Sequence, residues 1–474
     1  MIQIAKSMLR NNLNLLLNIV TAIMIIMTLG YMGISLCKSA INMDSYYYIG
    51  ASRFIMEGKV PFLDFPPGYT PLSFYIMCIP FSLFGVSFQV GLITLYLFDF
   101  INALLVYKLS RQYTENKRLA AFFAVLSILL CLNCDGGYYI LEPFVLFFGL
   151  LALVILKKEN PLHLILSGFF CFCAFWCKQY GLGFICLALL LIFLSNSFGK
   201  VLMKKWLLLL LGFFGGMIIF ISLLMLQGVD PMRLLSLSGS DYEREGIIGF
   251  IGAWKTLLIT LPLLIAPIVL TVIKLPKARH HQLLIVAFCG VFGFMLQCYV
   301  RFYAHYMILV MPFCALLLLA GIEAVKSPKM KELYILLLCL TPVIPCYFMV
   351  KDDITLLNSN EKAAQIQYAN TIENIIPRGS DKVFASSDLH PAMLLNAYNP
   401  PMIEKHGLSN GFVTDPQETE KMIQASSYCV ISKQRLEGER FTPEARAFLS
   451  SEFEELKFTS DGSQGDYSVF VRQK

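Results

Sequence analysis

"LNLLLNIVTAIMIIMTLGYMGISL", residues 13–36, decides the class of this protein. The segment contains no charged residue and is longer than the roughly 20 apolar residues with which a helix crosses a bilayer. It is too long for the apolar core of a signal peptide, and no small-residue cleavage site follows it. We therefore expect an uncleaved first transmembrane helix.

The composition extends this conclusion to the whole chain. Of its 474 residues, 57% are hydrophobic and 15% are charged, whereas soluble globular proteins carry roughly 25% charged residues. The chain is therefore predicted to be an integral membrane protein. Its net charge of +6 comes largely from Lys and Arg in short loops between apolar segments. That placement indicates membrane topology and argues against a nucleic-acid partner.

The 14 cysteines predict neither a disulfide framework nor a zinc site. Thirteen of them lie in or beside apolar segments, as in "CFCAFWC" (171–177), where cysteine behaves as a small hydrophobic residue. Cys131 and Cys134 have the spacing of a redox or metal motif. Their place at a predicted helix end favours packing instead.

Eleven apolar segments are long enough, or nearly long enough, to cross a membrane: about 13–36, 88–107, 119–134, 138–156, 162–177, 180–198, 206–227, 254–274, 282–300, 305–323 and 332–350. When the linkers between them are sorted alternately, one set carries seventeen Lys and Arg residues and the other eight. The positive-inside rule then places the N-terminus in the cytoplasm and the first loop, 37–87, outside. Within that loop, 72–84 is too short to cross and is predicted to be a helix in the outer interface.

The C-terminal part has the composition of a soluble domain. Helices are predicted over 359–376, 415–424 and 442–456, and strands over 382–387, 428–432 and 467–473. Since eleven spans bring the chain back to the outer face, 352–474 is predicted to be a small extracytoplasmic α/β domain. Residues 1–351 form the transmembrane domain in this interpretation.

Polar side chains gather at the predicted outer face. They lie in the first loop and at the outer ends of the helical hairpins: Asp44, Asp64, Asp135, Glu142, Lys178, Gln179, Arg301, His305 and Tyr306. Singly, each has a structural explanation, such as snorkelling to the headgroups, turn formation at Asp64 or helix capping at Asp44. Snorkelling does not explain why acids and cations share one face.

The chemistry of such a face follows from its charges. A carboxylate can act as general base toward a hydroxyl, and nearby cations can stabilise a departing phosphate. Nucleotide-activated sugars are absent outside a cell membrane, so an activated donor has to arrive on a lipid. A sugar on a polyprenyl phosphate fits this requirement.

The first loop and two hairpins resemble motifs of the C-type superfamily of membrane glycosyltransferases. The similarity is greatest to the branch (family 39 type) that contains protein O-mannosyltransferases and lipid A aminoarabinose transferases. The loop matches at Asp44, Tyr47, Tyr48, Ala51, Gly58, Pro61, Asp64, Pro71 and "FSLFG" (81–85), and the hairpins match at "CKQYG" (177–181) and "RFYAHYMILVMP" (301–312).

The resemblance implies transfer of a sugar, with inversion, from a polyprenyl-phosphate donor to an acceptor hydroxyl on the outer face. Asp44 would be the general base. The donor phosphate would be bound by Lys178, Arg301, His305 and Tyr306, and the sugar or acceptor would be positioned by Asp64, Glu142, Tyr47 and Tyr69. Ser45 stands where many relatives carry a second acid, so no obligatory metal or other cofactor is expected. The acceptor, a glycan, a lipid or a protein, stays open.

Three alternatives remain at this stage. Asp99, an ionisable group inside the second predicted span, is the best evidence for a transporter or flippase of lipid-linked sugars. A polymerase or ligase that uses polyprenyl-pyrophosphate glycans would share the architecture. A non-catalytic relative that only binds the lipid carrier would keep the fold. The loop 228–249 is interpreted as a gate over the site.

Overall fold

The computed structural model describes most of the chain, namely residues 2–37, 43–64, 69–158, 160–232, 234, 246–274, 281–300, 303–358, 383–385, 416–433, 442–460 and 466–473, with isolated residues between 363 and 376 and at 436. The chain divides into two compact units. The first unit comprises Met1–Leu36, Leu92–Phe220 and Glu243–Asp352, and the second comprises Cys37–Gly91, Ile221–Tyr242 and Asp353–Lys474.

Helices account for the apolar part of the chain. In order they are α1 Ile2–Cys37, α2 Met43–Met56, α3 Leu72–Phe84, α4 Phe88–Ser110, α5 Lys117–Leu132, α6 Glu142–Leu156, α7 Pro161–Cys177, α8 Gly183–Ser195, α9 Lys200–Leu226, α10 Gly246–Thr260, α11 Ile265–Lys274, α12 Gln282–Met295, α13 Met311–Ala324, α14 Pro328–Leu340 and α15 Val343–Asn358. Short 3-10 helices lie at Gln179–Leu182, Pro262–Leu264, Leu296–Tyr299 and Ala304–Leu309. A whole or broken helix therefore occupies each of the eleven predicted apolar segments.

The lengths of these helices differ. Within the described residues, five helical stretches are long and apolar enough to cross a membrane: Leu13–Cys37, Phe88–Ser110, Lys200–Leu226, Gln282–Tyr299 and Pro328–Thr355. A bent pair, Gly246–Thr260 with Pro262–Ile273, makes a sixth if it counts as one span, and several apolar helices are shorter. The polytopic α-helical class is confirmed, whereas the number of eleven crossings and the orientation of the termini stay predictions.

Proline breaks two segments that were predicted as continuous. The segment 254–274 bends by 100° between α10 and α11, at Leu261–Pro262. Proline has no N–H to donate, and its ring disfavours helical backbone in the preceding residue. The segment 332–350 is interrupted at Thr341 and Pro342 between α14 and α15, although the two helices together still form one stretch long enough to cross.

Helix α3 corresponds to the predicted interfacial helix. Its 13 residues are too few to cross a bilayer. Ser73, Phe74, Met77 and Phe81 are buried, and their spacing of three to four residues places them on one face. Apolar residues such as Leu83 are exposed elsewhere on the helix. Its depth in the membrane remains a prediction.

Glycines permit a close approach of α7 and α9 in the first unit. A Cβ atom added at Gly212 would lie 1.9 Å from the carbonyl oxygen of Ile165, and one added at Gly168 would lie 1.9 Å from that of Leu209. Small residues at such crossings let helix backbones approach in membranes, where packing is a main driving force for association. The two glycines therefore set the separation of these helices.

Gly212→Ala is expected to destabilise the protein by about 1–3 kcal/mol, the usual cost of overpacking a filled interior. Thermal unfolding in detergent, followed by tryptophan fluorescence, measures the loss. Gly215→Ala on the same helix is the matched control, because a Cβ there meets nothing within 4 Å. Equal melting temperatures for the two variants would contradict the close approach.

A four-stranded sheet forms the C-terminal part of the second unit. Its strands are β1 Val383–Ala385, β2 Tyr428–Ser432, β3 Phe453–Ser460 and β4 Asp466–Arg472, in the order β1-β2-β4-β3. β1 is parallel to β2 and the other pairs are antiparallel. Helices α16 Pro416–Ala425 and α17 Pro443–Glu452 accompany it. Their shared core contains Phe384, Ile423, Cys429, Ile431, Ala445, Leu449, Phe453 and Phe470.

The predicted helix over 442–456 is too long. Thr442 caps α17 through its hydroxyl, which accepts a hydrogen bond from Ala445 N at 3.0 Å, but the helix ends at Glu452. β3 begins at Phe453 and pairs with β4 along its length. Pairing with β4 therefore overrides the helical pattern of the residues after Glu452. Ser359 and Asp415, the first residues of the other two predicted helices, lie outside the described residues.

Candidate functional site

Lys178 occupies the turn between α7 and the 3-10 helix Gln179–Leu182. Its backbone is extended, with φ −163° and ψ 140°, so α7 stops one residue earlier. The turn is held by a hydrogen bond of 2.8 Å from Gly181 N to Lys178 O. Gly181 packs against the last turn of α7, where a Cβ would lie 2.2 Å from the carbonyl of Ala174. This packing leaves the Lys178 side chain fully buried.

Glu142 is the first residue of α6 and is also fully buried. The N-terminal turn of a helix favours a carboxylate, because its unpaired N–H groups carry partial positive charge. Pro143 follows in the first turn, where its missing N–H costs nothing. Asp135 lies in the preceding turn with a left-handed φ of 63°, a conformation that aspartate tolerates better than most residues.

These residues form a buried charge cluster with His305, which lies in the 3-10 helix Ala304–Leu309. Lys178 Nζ is 2.5 Å from Glu142 Oε1, and both side chains are 0% exposed. His305 Nε2 lies 4.0 Å from Glu142 Oε1, and His305 Nδ1 lies 3.8 Å from Asp135 Oδ2. Asp135 is 39% exposed, so the cluster runs from the interior to the surface.

Aromatic rings surround the cation. Lys178 Nζ lies 4.8 Å from the centre of the Tyr306 ring and 5.8 Å from that of Tyr180. Tyr303 stacks on His305 with ring centres 5.3 Å apart. Gln297 holds the backbone beneath Tyr306, since its Nε2 donates to Tyr306 O at 2.8 Å. Rings at such distances attract an ammonium group and help to compensate its burial.

The pairing changes what Lys178 can do chemically. A buried ammonium needs a partner, and Glu142 supplies one. With His305 neutral, Lys178, Glu142 and Asp135 together carry one net negative charge. These groups therefore do not by themselves favour a phosphate, and an additional cation is needed. Arg301, the predicted second phosphate ligand, lies outside the described residues.

The loop residues belong to the second unit. Asp44 and Tyr47 lie in the first turns of α2, which begins at Met43, and their side chains lie outside the described part. Asp44 is the second described residue of α2, and whether its side chain caps the helix stays a prediction. Tyr48, one of the residues matched by resemblance, is buried between Tyr69 and Phe74, with ring centres 5.8 and 6.1 Å away.

Asp64 has a structural role in the same loop. Its Oδ2 accepts a hydrogen bond from Val60 N at 2.7 Å, and its own N–H donates to Val60 O at 2.9 Å. Both bonds close the turn 60–64, as the turn-forming alternative expects. A role of Asp64 toward an acceptor stays a prediction.

The structure thus brings together four predicted site residues: Lys178, Glu142, His305 and Tyr306. It adds two, Asp135 and Tyr180, that the site prediction omitted. Asp135 and Glu142 lie at the outer ends of two consecutive predicted spans, which could have indicated Asp135. Tyr180 follows Lys178 by two residues, which could have indicated Tyr180. Among the residues that the structure describes, no group of three His, Cys, Asp or Glu side chains has an arrangement that could hold a metal ion. Most of the predicted gate, 228–249, lies outside the part of the chain that the structure describes.

The chain shares its fold with two kinds of solved membrane protein. ArnT from Cupriavidus metallidurans, bound to undecaprenyl phosphate, is 12% identical and aligns over 95% of this chain and 97% of its own with a TM-score of 0.60. Its apo form is 11% identical and aligns over the same shares with a TM-score of 0.62. The archaeal oligosaccharyltransferase AglB from Archaeoglobus fulgidus, in complex with an inhibitory peptide and a dolichol-phosphate, is 12% identical and aligns over 95% and 74% with a TM-score of 0.57.

These similarities concern the fold. At 11–12% identity they show the fold alone, and the polytopic fold expected from the sequence resemblance is confirmed. No family profile matches the sequence, and no curated protein matches it.

Proposed function

We propose that the protein is a membrane glycosyltransferase that moves a sugar from a polyprenyl-phosphate donor to an acceptor hydroxyl. The observation that carries the proposal is the fold shared with ArnT bound to undecaprenyl phosphate and AglB in complex with dolichol-phosphate. Within that fold, the buried Lys178–Glu142–His305 cluster supplies part of the proposed phosphate site. A soluble substrate would not need the long apolar helices. A lipid donor needs both an apolar environment for its tail and polar groups for its phosphate.

In the proposed reaction Asp44 accepts the proton of the acceptor hydroxyl while the acceptor oxygen attacks the anomeric carbon. The bond between that carbon and the phosphate oxygen breaks on the opposite face, so the configuration inverts. The polyprenyl phosphate leaves with the negative charge. Preorganised cations are effective at such a position because charge develops there in the transition state.

Glu142 takes a role different from the one that the resemblance implies. Its contact with Lys178 at 2.5 Å in a fully buried position supports the proposal that Glu142 positions the lysine. Lys178, Arg301, His305 and Tyr306 remain the proposed phosphate ligands, and Arg301 supplies the additional positive charge that the cluster lacks. Tyr47, Tyr69 and Asp64 remain proposed to position sugar or acceptor. No metal is part of the proposal.

The donor class can be tested with purified protein in liposomes. A panel of radiolabelled polyprenyl-phosphate sugars, nucleotide sugars and polyprenyl-pyrophosphate sugars is offered with membrane extract as acceptor. We expect label to enter acceptor from one polyprenyl-phosphate sugar and from no nucleotide sugar. Transfer from pyrophosphate donors alone would favour the polymerase or ligase alternative, which the similarity to an oligosaccharyltransferase keeps open. Movement of the labelled lipid between leaflets without transfer would favour the transporter.

The proposed orientation in the membrane follows from the topology that the distribution of Lys and Arg predicts. A multi-pass membrane protein with its N-terminus in the cytoplasm would present the loop 37–87 and residues 352–474 outside, where lipid-linked donors are the available activated sugars. Cysteines introduced at either end, in a variant whose exposed native Cys37 and Cys186 are replaced by serine, and labelled with an impermeant thiol reagent in intact cells, test this orientation.

A further inference from the structure

A cavity of about 510 Å³ lies in the first unit, at the opposite end of α6 from Glu142. The two ends of this 15-residue helix are roughly 22 Å apart at 1.5 Å per residue. The cavity is formed by the C-terminal ends of α4, α6 and α8 and by residues of α12 and α13. It is therefore separate from the charge cluster that we assign to the donor phosphate.

The cavity has an apolar floor and a polar rim. Leu153, Leu156, Ile192 and Phe313, which line the floor, are buried. The rim carries Lys157, which is exposed and follows the last residue of α6, and the half-buried His281 directly before α12. A ligand that fills both parts must have an apolar portion and an anionic or hydrogen-bonding head.

Two more rim residues carry hydrogen-bonding groups beside Lys157 and His281. Ser195 at the end of α8 donates to Gln282 Oε1 at 3.1 Å, and Gln282 begins α12. The nearby end of α4 and the residues after it add positive charge through Lys108 and Arg111. Glu323 does not line the cavity, and it is engaged by Thr114 Oγ1 at 2.6 Å and Lys331 Nζ at 3.8 Å.

We propose that this cavity binds an anionic membrane phospholipid, with its phosphate at Lys157 and His281 and the start of an acyl chain on the leucine floor. Basic pockets between membrane helices bind anionic lipid headgroups in this way. The volume lies within the 300–1,000 Å³ typical of small-molecule sites. Inorganic phosphate would leave the apolar floor in water, and a zwitterionic lipid would bring no net charge to the rim. The site is independent of the proposed transfer reaction.

The test uses the full chain, purified in a neutral detergent and titrated with phosphatidylglycerol, with bound lipid counted by native mass spectrometry. Lys157→Glu is expected to weaken the tightest site by at least about 10-fold, since each basic residue near a membrane surface contributes about 1 kcal/mol and the variant reverses the charge. The matched control is Lys158→Glu, which makes the same change at an adjacent exposed lysine that does not line the cavity. It is expected to bind as the wild type does.

A second variant, Ser195→Phe, fills the mouth of the cavity without changing charge and is expected to abolish the same binding event. Phosphatidylcholine and inorganic phosphate form the other arms of the titration. Equal affinities of the two lysine variants, or equal binding of phosphatidylcholine, would overturn the proposal. Tight binding of inorganic phosphate alone would overturn it in favour of a soluble anion.

Discussion

Asp44→Asn is expected to lower the rate of sugar transfer at least about 100-fold, which is the contribution that a general base usually makes. The amide cannot accept the proton of the acceptor hydroxyl, although it has nearly the shape of the carboxylate. Because Asp44 lies in the first turn of α2, where asparagine is also tolerated, the variant is expected to fold. Initial rates with the polyprenyl-phosphate donor identified in the panel measure the effect.

The control for this variant is Asp352→Asn. Asp352 is an exposed residue of α15, so the same chemical change is made at a residue with no proposed role. Its rate is expected to stay within about 2-fold of the wild type, as for most surface substitutions. If Asp44→Asn transferred sugar as fast as this control, the carboxylate would serve only the start of α2. The base would then have to be sought elsewhere, and the transporter alternative would gain support.

Most of the membrane fold could be predicted because apolar segments alternate with short polar or charged linkers. Composition alone separates such segments from loops, and α1, α4 and α9 are examples. What the patterns did not predict is where helices break. Pro262 and Pro342 lie inside otherwise apolar segments. A hydropathy profile contains no information on the missing backbone N–H of proline, so it does not show where a helix is interrupted. In the same way, the residues that begin at Phe453 have a helical sequence pattern, and only their pairing with β4 identifies them as a strand.

The site was predictable to a different degree. The sequence places Glu142 and Lys178 at the same predicted membrane face, but they are 36 positions apart, and only the packing of α6 against α7 decides that they meet. Without that contact, Lys178 looked like a cation available for phosphate. The structure shows that Lys178 is already paired with the Glu142 carboxylate. Binding of the donor phosphate in the proposed site therefore depends more strongly on Arg301. The roles taken from family motifs carried no information on this pairing.

Loss of either partner of the buried pair is expected to destabilise the protein strongly. Lys178→Met leaves the Glu142 carboxylate buried without its ammonium, a situation that typically costs 3–5 kcal/mol. Glu142 Oε2 already has no hydrogen-bond partner among the described residues, so little remains to compensate the charge. The free energy of unfolding in detergent measures the loss. Lys331→Met is the matched control: its partner Glu323 is 3.8 Å away and the two side chains are 23% and 31% exposed, so at most about 1 kcal/mol is expected.

The double variant Lys178→Met with Glu142→Leu separates stability from function. Replacing a buried ion pair by apolar residues of similar size is often neutral or stabilising, so the double variant is expected to regain most of the stability that Lys178→Met loses. It has lost the ammonium group, and it is therefore expected to remain defective in transfer although it is folded. A stable double variant with wild-type transfer would show that Lys178 serves the fold and not the donor phosphate. If Lys178→Met proved as stable as Lys331→Met, Lys178 and Glu142 would not form the buried ion pair that the structure assigns to them.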